Sequence, residues 1–325
     1  MFSKKNLYRL LFFFPSCLIV FCLRELTAEE KETPHKKHVC VIVNPISGGI
    51  NKKPIVKKIQ KKLNNAQFEV EIFYTHKRND ATELAKIALE HHADVIAVVG
   101  GDGTVNEVSQ VLVGTSTPLA IIPSGSGNGL ARHLHIPLKS SKAIDLIKNG
   151  RIETIDTVRM NDRLYLGVAG IGFDAEVGWK FSEFGHRGFL SYLLLTLKEF
   201  PIYHPGVYDL IIDGKKISRE AFLVSFANSS QFGNGVYIAP LAKIDDGNLD
   251  VIILKKFPPY GTIKIASQLF HHSLNRSKYV ETIKCKEITI SQPNLKAQID
   301  GEPIIFPSGI HLQIVPASLC VLVPN

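Results

Sequence analysis

Cysteine is scarce in this chain, five among 325 residues. Cys17 and Cys22 fall in an apolar N-terminal stretch, and Cys40, Cys285 and Cys320 make an odd set without metal-ligand spacing, so a disulfide framework is excluded. The twelve histidines contain no HExxH-type pattern, and His91-His92 and His271-His272 read as helix-end surface. There is no internal repeat, no low-complexity tract, no G-x-x-x-x-G-K-S/T and no G-x-G-x-x-G with a downstream ribose acid. The last two absences remove the P-loop and Rossmann dinucleotide readings. A strong charge bias is missing too: 38 Lys+Arg stand against 30 Asp+Glu, a net charge of +8. With 45% hydrophobic and 21% charged residues, the chain is neither disordered nor collagen-like. The surplus suits an anionic membrane surface or a nucleotide, and no nucleic-acid partner is expected.

The apolar run LLFFFPSCLIVFCL, between Arg9 and Arg24, follows Lys4 and Lys5. Its fourteen residues would make roughly 21 Å of helix, short of the ~30 Å hydrocarbon core of a bilayer. A basic start and a short apolar run have the layout of a secretory signal, although Leu26 suits a cleavage site poorly. Signal peptide, uncleaved anchor and misplaced start codon all stay open. Residues 1–37 are therefore read as leader and charged linker.

From His38 the pattern changes to strands alternating with helices. Strands are predicted at 38–43, 68–74, 94–99 and 118–122, and helices at 52–63, 80–92 and 104–113. This repetition predicts an α/β domain over 38–155, a parallel sheet with helices on both faces. Residues 156–325 consist of short strand-like runs between turns such as Asp213-Gly214, with helical stretches at 186–200 and 260–272. They predict a β-rich antiparallel second domain, whose last strands are free to pack back on the first.

Three polar glycine loops follow strands one, three and four: Asn44-Pro45-Ile46-Ser47-Gly48-Gly49, Gly100-Gly101-Asp102-Gly103-Thr104-Val105-Asn106-Glu107, and Pro123-Ser124-Gly125-Ser126-Gly127-Asn128. They leave the carboxyl ends of parallel strands, where open α/β sheets bind ligands. Glycine permits close backbone approach, and amides at the next helix start favour phosphate oxygens. Any one loop is an ordinary turn; three on one sheet edge make a nucleotide-phosphate cradle.

The series NPxSGG, GGDGTVNEV and PSGSGNGLA resembles the catalytic domain of diacylglycerol kinases, the bacterial YegS-like lipid kinases and the sphingosine kinases. Gly172-Phe173-Asp174-Ala175, the stretch from Asn234 to Pro240, Asp246-Gly247-Asn248-Leu249-Asp250 and Asp300-Gly301-Glu302-Pro303 extend the likeness in family order. The resemblance implies ATP-dependent transfer of a phosphoryl group to a lipid hydroxyl, in a cleft between the two domains. By motif, ATP would be held by Asn44, Ser47, Thr75, Gly100, Gly101, Asp102, Gly103, Thr104, Val105, Asn106 and Ser126, with Asp102 near the Mg²⁺. The implied general base is Asp300, supported by Glu302; Asp102 is the alternative, as in the sphingosine kinase branch. A structural Mg²⁺ is implied at the Asp246 carboxylate and the backbone carbonyls of Lys243 and Asn248. From the residues alone, Asp246-Gly247 and Asp300-Gly301 are also simply hairpin turns.

The lysines 52, 53, 57, 58, 61 and 62 read as a solvated helix face, with membrane docking as the alternative. The apolar stretch 189–197, with Trp179 and Phe181 nearby, reads as core, or as a lining for acyl chains. Because the implied chemistry needs ATP, a cytoplasmic, membrane-associated catalytic domain is expected. NAD kinase, which shares the GGDGT loop, and a non-catalytic nucleotide- and lipid-binding protein are the competing readings. The lipid substrate and the oligomeric state stay open.

Overall fold

Val39, Cys40, Val41, Ile42 and Val43 are all solvent-inaccessible, so β1 (Lys37–Val43) must have neighbours on both edges and both faces. The structure, a computed structural model, describes residues 36–63, 67–183, 195–196 and 198–325. The apolar leader lies outside these residues, as does most of the helical stretch expected at 186–200. No helix among the described residues is long and apolar enough to cross a membrane.

β1 pairs in parallel with β2 (Phe68–Tyr74) and β3 (Val95–Gly100), and β3 pairs with β4 (Leu119–Pro123). The order is β2-β1-β3-β4, so the chain leaves β1 in one direction and returns past it in the other. Right-handed crossovers then put the helix after β1 on one face of the sheet and the helices after β2 and β3 on the other. The helix Lys53–Leu63 accordingly packs with Ser140–Asn149, and Asp80–Glu90 packs with Asp102–Leu112. Buried Ile55, Val56, Ile59 and Leu63 form the core stripe of the first helix.

Beyond β4 the sheet continues into antiparallel structure. The last strand, β16 (Ile310–Val323), meets β4 in parallel at Val321–Leu119 and runs antiparallel to β5 (Arg151–Met160) and β13 (Glu287–Ile290). β8 (Gly206–Ile212) and β9 (Lys215–Ala221) complete that edge. Their turn is the expected hairpin, with Asp213 at φ 46° and Gly214 at φ 79°. A second sheet is antiparallel throughout, in the order β12-β11-β10-β7-β14-β15. Its inner members are β7 (Val168–Gly172), β10 (Leu223–Ala227), β11 (Leu249–Leu254) and β14 (Leu295–Ile299); β12 (Val280–Cys285) and β15 (Glu302–Phe306) are the edges. Tyr165, Phe226, Ile288 and Leu312 belong to one core shared by strands of both sheets.

β16 bulges between Val315 and Leu319, and a buried carboxylate holds the irregularity. Asp156 accepts the backbone amides of Ala317 and Gly247, each at 2.7 Å, and is 2% exposed. Removing it leaves two amides without an acceptor, at about 1–3 kcal/mol for each group. Asp156→Ala is therefore expected to lower the unfolding free energy by about 2–4 kcal/mol in urea titrations; a change below about 0.5 kcal/mol would show that water replaces the carboxylate.

Candidate active site

The strand order reverses at β1, so the loops after β1 and β3 diverge and leave a crevice at the carboxyl edge of the sheet. Asn44 fixes the first loop: its amide N–H bonds Val99 O (3.0 Å), its Nδ2 donates to Thr104 Oγ1 (2.9 Å), and its Oδ1 accepts from Ile46 N (3.1 Å). Ser47 Oγ donates to Ser124 O at 3.3 Å, joining the first loop to the third. The third loop is closed by Asn128, whose Oδ1 accepts from Gly125 N (3.0 Å) while Nδ2 donates to Gly125 O (2.9 Å). Glycine is required at Gly125 because a Cβ there would sit 2.4 Å from Gly101 Cα. Gly101 is extended (φ −101°, ψ −174°), so the following helix begins at Asp102, two residues earlier than expected. Thr75 is buried at the end of β2, with its N–H on Val43 O.

Lys52 is a correction to the sequence reading. It precedes the lysine-bearing helix and is 4% exposed, rather than forming part of the solvated face. Its ammonium donates to the carbonyls of Ser47, Ile50 (3.1 Å) and Ser124 (3.3 Å), pinning the first and third loops from behind. Lys53, Lys57, Lys58 and Lys61 are exposed as expected.

Asp102 sits at the start of its helix and receives the backbone amides of Gly129, Leu130 and Asn128. Burial pushes its carboxyl above the ordinary range, and those amides oppose the shift. Across a cavity of about 310 Å³ stands Asp300, and Ser126, Gly127, Leu166 and Phe232 also line the space. Asp300 and Gly301 have φ of 47° and 84° between paired Ile299 and Glu302, so the turn is the hairpin anticipated from Asp-Gly. That hairpin also delivers a carboxylate to the cavity. Asp300 Oδ1 accepts the amides of Gly167 and Val168, both at 3.0 Å; Oδ2 accepts Leu166 N (3.3 Å) and Asn106 Nδ2 (3.2 Å). Burial pushes the Asp300 carboxyl up to about 6; the Leu166 amide pulls down, and the neighbouring Asp102 charge pushes up again.

Glu302 does not join Asp300. It is exposed, and its Oε1 takes Arg78 Nη2 at 2.7 Å, because the residue after the turn points back along β15 to the rim. The support expected from Glu302 is supplied by Asn106, which the sequence placed only with the phosphates. Asp174 was likewise missed as a site residue. It lines the cavity, accepts Gln298 Nε2 at 3.2 Å, and burial raises its carboxyl to about 7. Its sequence signal was its place in Gly172-Phe173-Asp174-Ala175, two residues after the apolar strand Val168–Gly172.

The turn at Asp246 does not suit the implied structural Mg²⁺. Lys284 Nζ lies 2.7 Å from Asp246 Oδ2 and 3.3 Å from Asp250 Oδ2, and Asp246 Oδ1 accepts Asn248 N at 3.0 Å. The carboxylate already has a cation in Lys284, so the turn that contains Lys243, Asp246 and Asn248 is held by an ion pair at Asp246. The main cavity presents the opposite balance. Asp102, Asp174 and Asp300 line it, and among the described residues none that lines it is Lys or Arg. Oxygen donors without a basic partner fit a hard divalent cation.

Comparison with known proteins gives the family and the fold. Residues 38–160 match the model of the diacylglycerol kinase catalytic domain, and 167–323 match that of the YegS C-terminal NAD kinase beta sandwich-like domain. A diacylglycerol kinase of Mycobacterium tuberculosis is 31% identical over 255 residues, covering 76% of this chain and 82% of the relative. One from Bacillus subtilis is 30% identical over 274 residues, covering 82% and 90%. The crystal structure of a diacylglycerol kinase from Bacillus anthracis superposes with a TM-score of 0.69 at 23% identity, over 89% of this chain and 97% of that one, and shares the fold. A cradle of three glycine loops, an acid facing it and these matches lead to one conclusion: the chain belongs to the diacylglycerol kinase family, phosphotransferases with an alcohol acceptor.

Proposed function

We propose that this lipid kinase transfers the γ-phosphoryl group of ATP to the hydroxyl of a diacylglycerol-like or sphingoid lipid, with Asp300 as general base. The observation that carries the reading is the Asp300 carboxylate, facing the same cavity as Asp102 and Ser126. The region 38–155 would bind the nucleotide and 156–325 the lipid. Asn44, Ser47, Thr75, residues 100–106 and Ser126 would hold ATP through backbone amides and hydroxyls. The Mg²⁺ that accompanies ATP, held on the Asp102 side, would neutralise charge on the phosphates. The lipid oxygen bonds to the γ-phosphorus as its proton passes to an Asp300 oxygen, and the bond from phosphorus to the ADP oxygen breaks. Asn106 and the amides of 166–168 keep Asp300 aimed.

A peripheral membrane approach is part of the proposal. Tyr260 and Ile263 are 83% and 81% exposed at the start of the helix Thr262–Phe270. That helix also meets the cavity wall, with Tyr237 N donating to Leu269 O beside Val236.

Incubation with γ-labelled ATP, Mg²⁺, NAD and a total lipid extract should place label in the organic phase. Label on NAD would instead identify an NAD kinase, and no transfer at all a binding protein. Asp300→Asn should lower kcat by about 10²- to 10⁴-fold with a much smaller loss of nucleotide affinity, because only Asn106 links Asp300 to the cradle. The base must be ionised to accept a proton, so kcat/KM should fall as pH drops through about 6. Gly125→Ala should do the reverse of Asp300→Asn, weakening nucleotide binding at least about tenfold by forcing the second and third loops apart. Equal losses of binding in both variants would contradict this division of labour.

A further inference from the structure

At the opposite end of the parallel strands, three side chains from two neighbouring strands meet. His38 and Cys40 stand two apart on β1 and so share a face of the sheet. Glu71 on β2 is the register partner of Cys40 and shares that face. His38 Nε2 to Cys40 Sγ, Cys40 Sγ to Glu71 Oε2, and His38 Nε2 to Glu71 Oε2 are each 3.6 Å. Tetrahedral zinc with bonds of about 2.0–2.3 Å to nitrogen, oxygen and sulfur has ligand–ligand edges of about 3.3–3.6 Å. The empty triangle thus already has the size of one face of a zinc coordination shell.

The surroundings orient each donor. His38 Nδ1 lies 3.0 Å from His91 O, an acceptor only, so Nδ1 carries the proton and Nε2 presents its lone pair to Cys40 and Glu71. The His38 backbone N–H donates to Asp94 Oδ2 at 2.7 Å, which fixes the start of β1. His91 Nδ1 lies 2.9 Å from Glu71 Oε2 and holds that carboxylate as an outer-shell partner. Cys40 is inaccessible, whereas the His38, Glu71 and His91 side chains are 19%, 35% and 47% exposed, which gives an ion an entry path. We infer that His38, Cys40 and Glu71 form a site for one zinc-like divalent transition metal, with the fourth position open to water.

Without metal, burial and Glu71 push the Cys40 thiol up to about 12, and coordination displaces that proton. The site would clip β1, β2 and the turn after Asp80–Glu90 together. Six residues of extended β1 separate His38 from Asn44, about 20 Å at ~3.3 Å per residue, so the site is independent of the phosphotransfer chemistry.

Cobalt(II) is the probe, added to the full chain after chelation. The expected result is one equivalent bound with a thiolate-to-cobalt charge-transfer absorption, displaced by Zn²⁺ and equally strong in Asp300→Asn. Cys40→Ser should abolish that absorption, whereas Cys285→Ser and Cys320→Ser should retain it. Glu71→Gln and His38→Gln, both at partly exposed positions, should each weaken cobalt binding at least about tenfold, and they serve if Cys40→Ser does not fold. Zn²⁺ should also raise the melting temperature of the wild type more than that of Glu71→Gln. Absence of the charge-transfer band, its persistence in Cys40→Ser, or unchanged cobalt affinity in both Gln variants would overturn the assignment.

Discussion

The carboxylate of Asp300 is the point at which the two halves of the molecule are tied. It takes amides from Leu166, Gly167 and Val168 and the side-chain amide of Asn106, so the helix after β3, the entry to β7 and the β14–β15 hairpin converge on one charged group. Hydrogen bonds to a charge are worth about 1.5–3 kcal/mol each, and they offset the cost of placing that charge beside Asp102. The balance leaves Asp300 more basic than a free aspartate while keeping it ionised near neutral pH. Gly167 belongs to this arrangement, because a Cβ there would lie 2.6 Å from Asp300 Oδ1.

Opposite this carboxylate the loops are rigid for a different reason. Backbone approaches backbone at Gly101–Gly125 and at Gly48, where a Cβ would lie 2.4 Å from Ser124 O. Lys52 supplies a cation behind the loops rather than in front of them. Its three carbonyl acceptors hold the first and third loops in register, and Lys52 is not among the residues that line the cavity. In the proposed reaction, phosphate recognition would then fall to backbone amides and hydroxyls, with a metal on the Asp102 side and Asp300 kept for the proton.

The alternation of buried strands and amphipathic helices was legible because a parallel sheet imposes it: Val39–Val43 and Val95–Gly100 cannot be read otherwise at that length. The three loops were legible for the same reason, since each follows such a strand. Side-chain direction was not. Asp300 and Glu302 look equivalent in Asp-Gly-Glu, yet a two-residue turn sends one into the cavity and the other to Arg78 on the rim. Lys52 looked like its lysine neighbours because a single position before the helix start decides whether it faces water or carbonyls. Lys284 and Asp246 are 38 residues apart, and the β11–β12 pairing that joins them leaves no local signal. The His38–Cys40–Glu71 cluster was missed likewise, since its third member arrives only through the parallel register of β1 and β2.

A crystal structure with a non-hydrolysable ATP analogue, Mg²⁺ and a short-chain lipid alcohol bears most directly on the role of Asp300. The γ-phosphorus should lie in the cavity between Ser126 and Asp300, with the alcohol oxygen hydrogen-bonded to an Asp300 oxygen and in line with the scissile bond. A nucleotide bound with its phosphates directed away from that cavity, or an alcohol oxygen held by Asp102 alone, would remove Asp300 from the reaction.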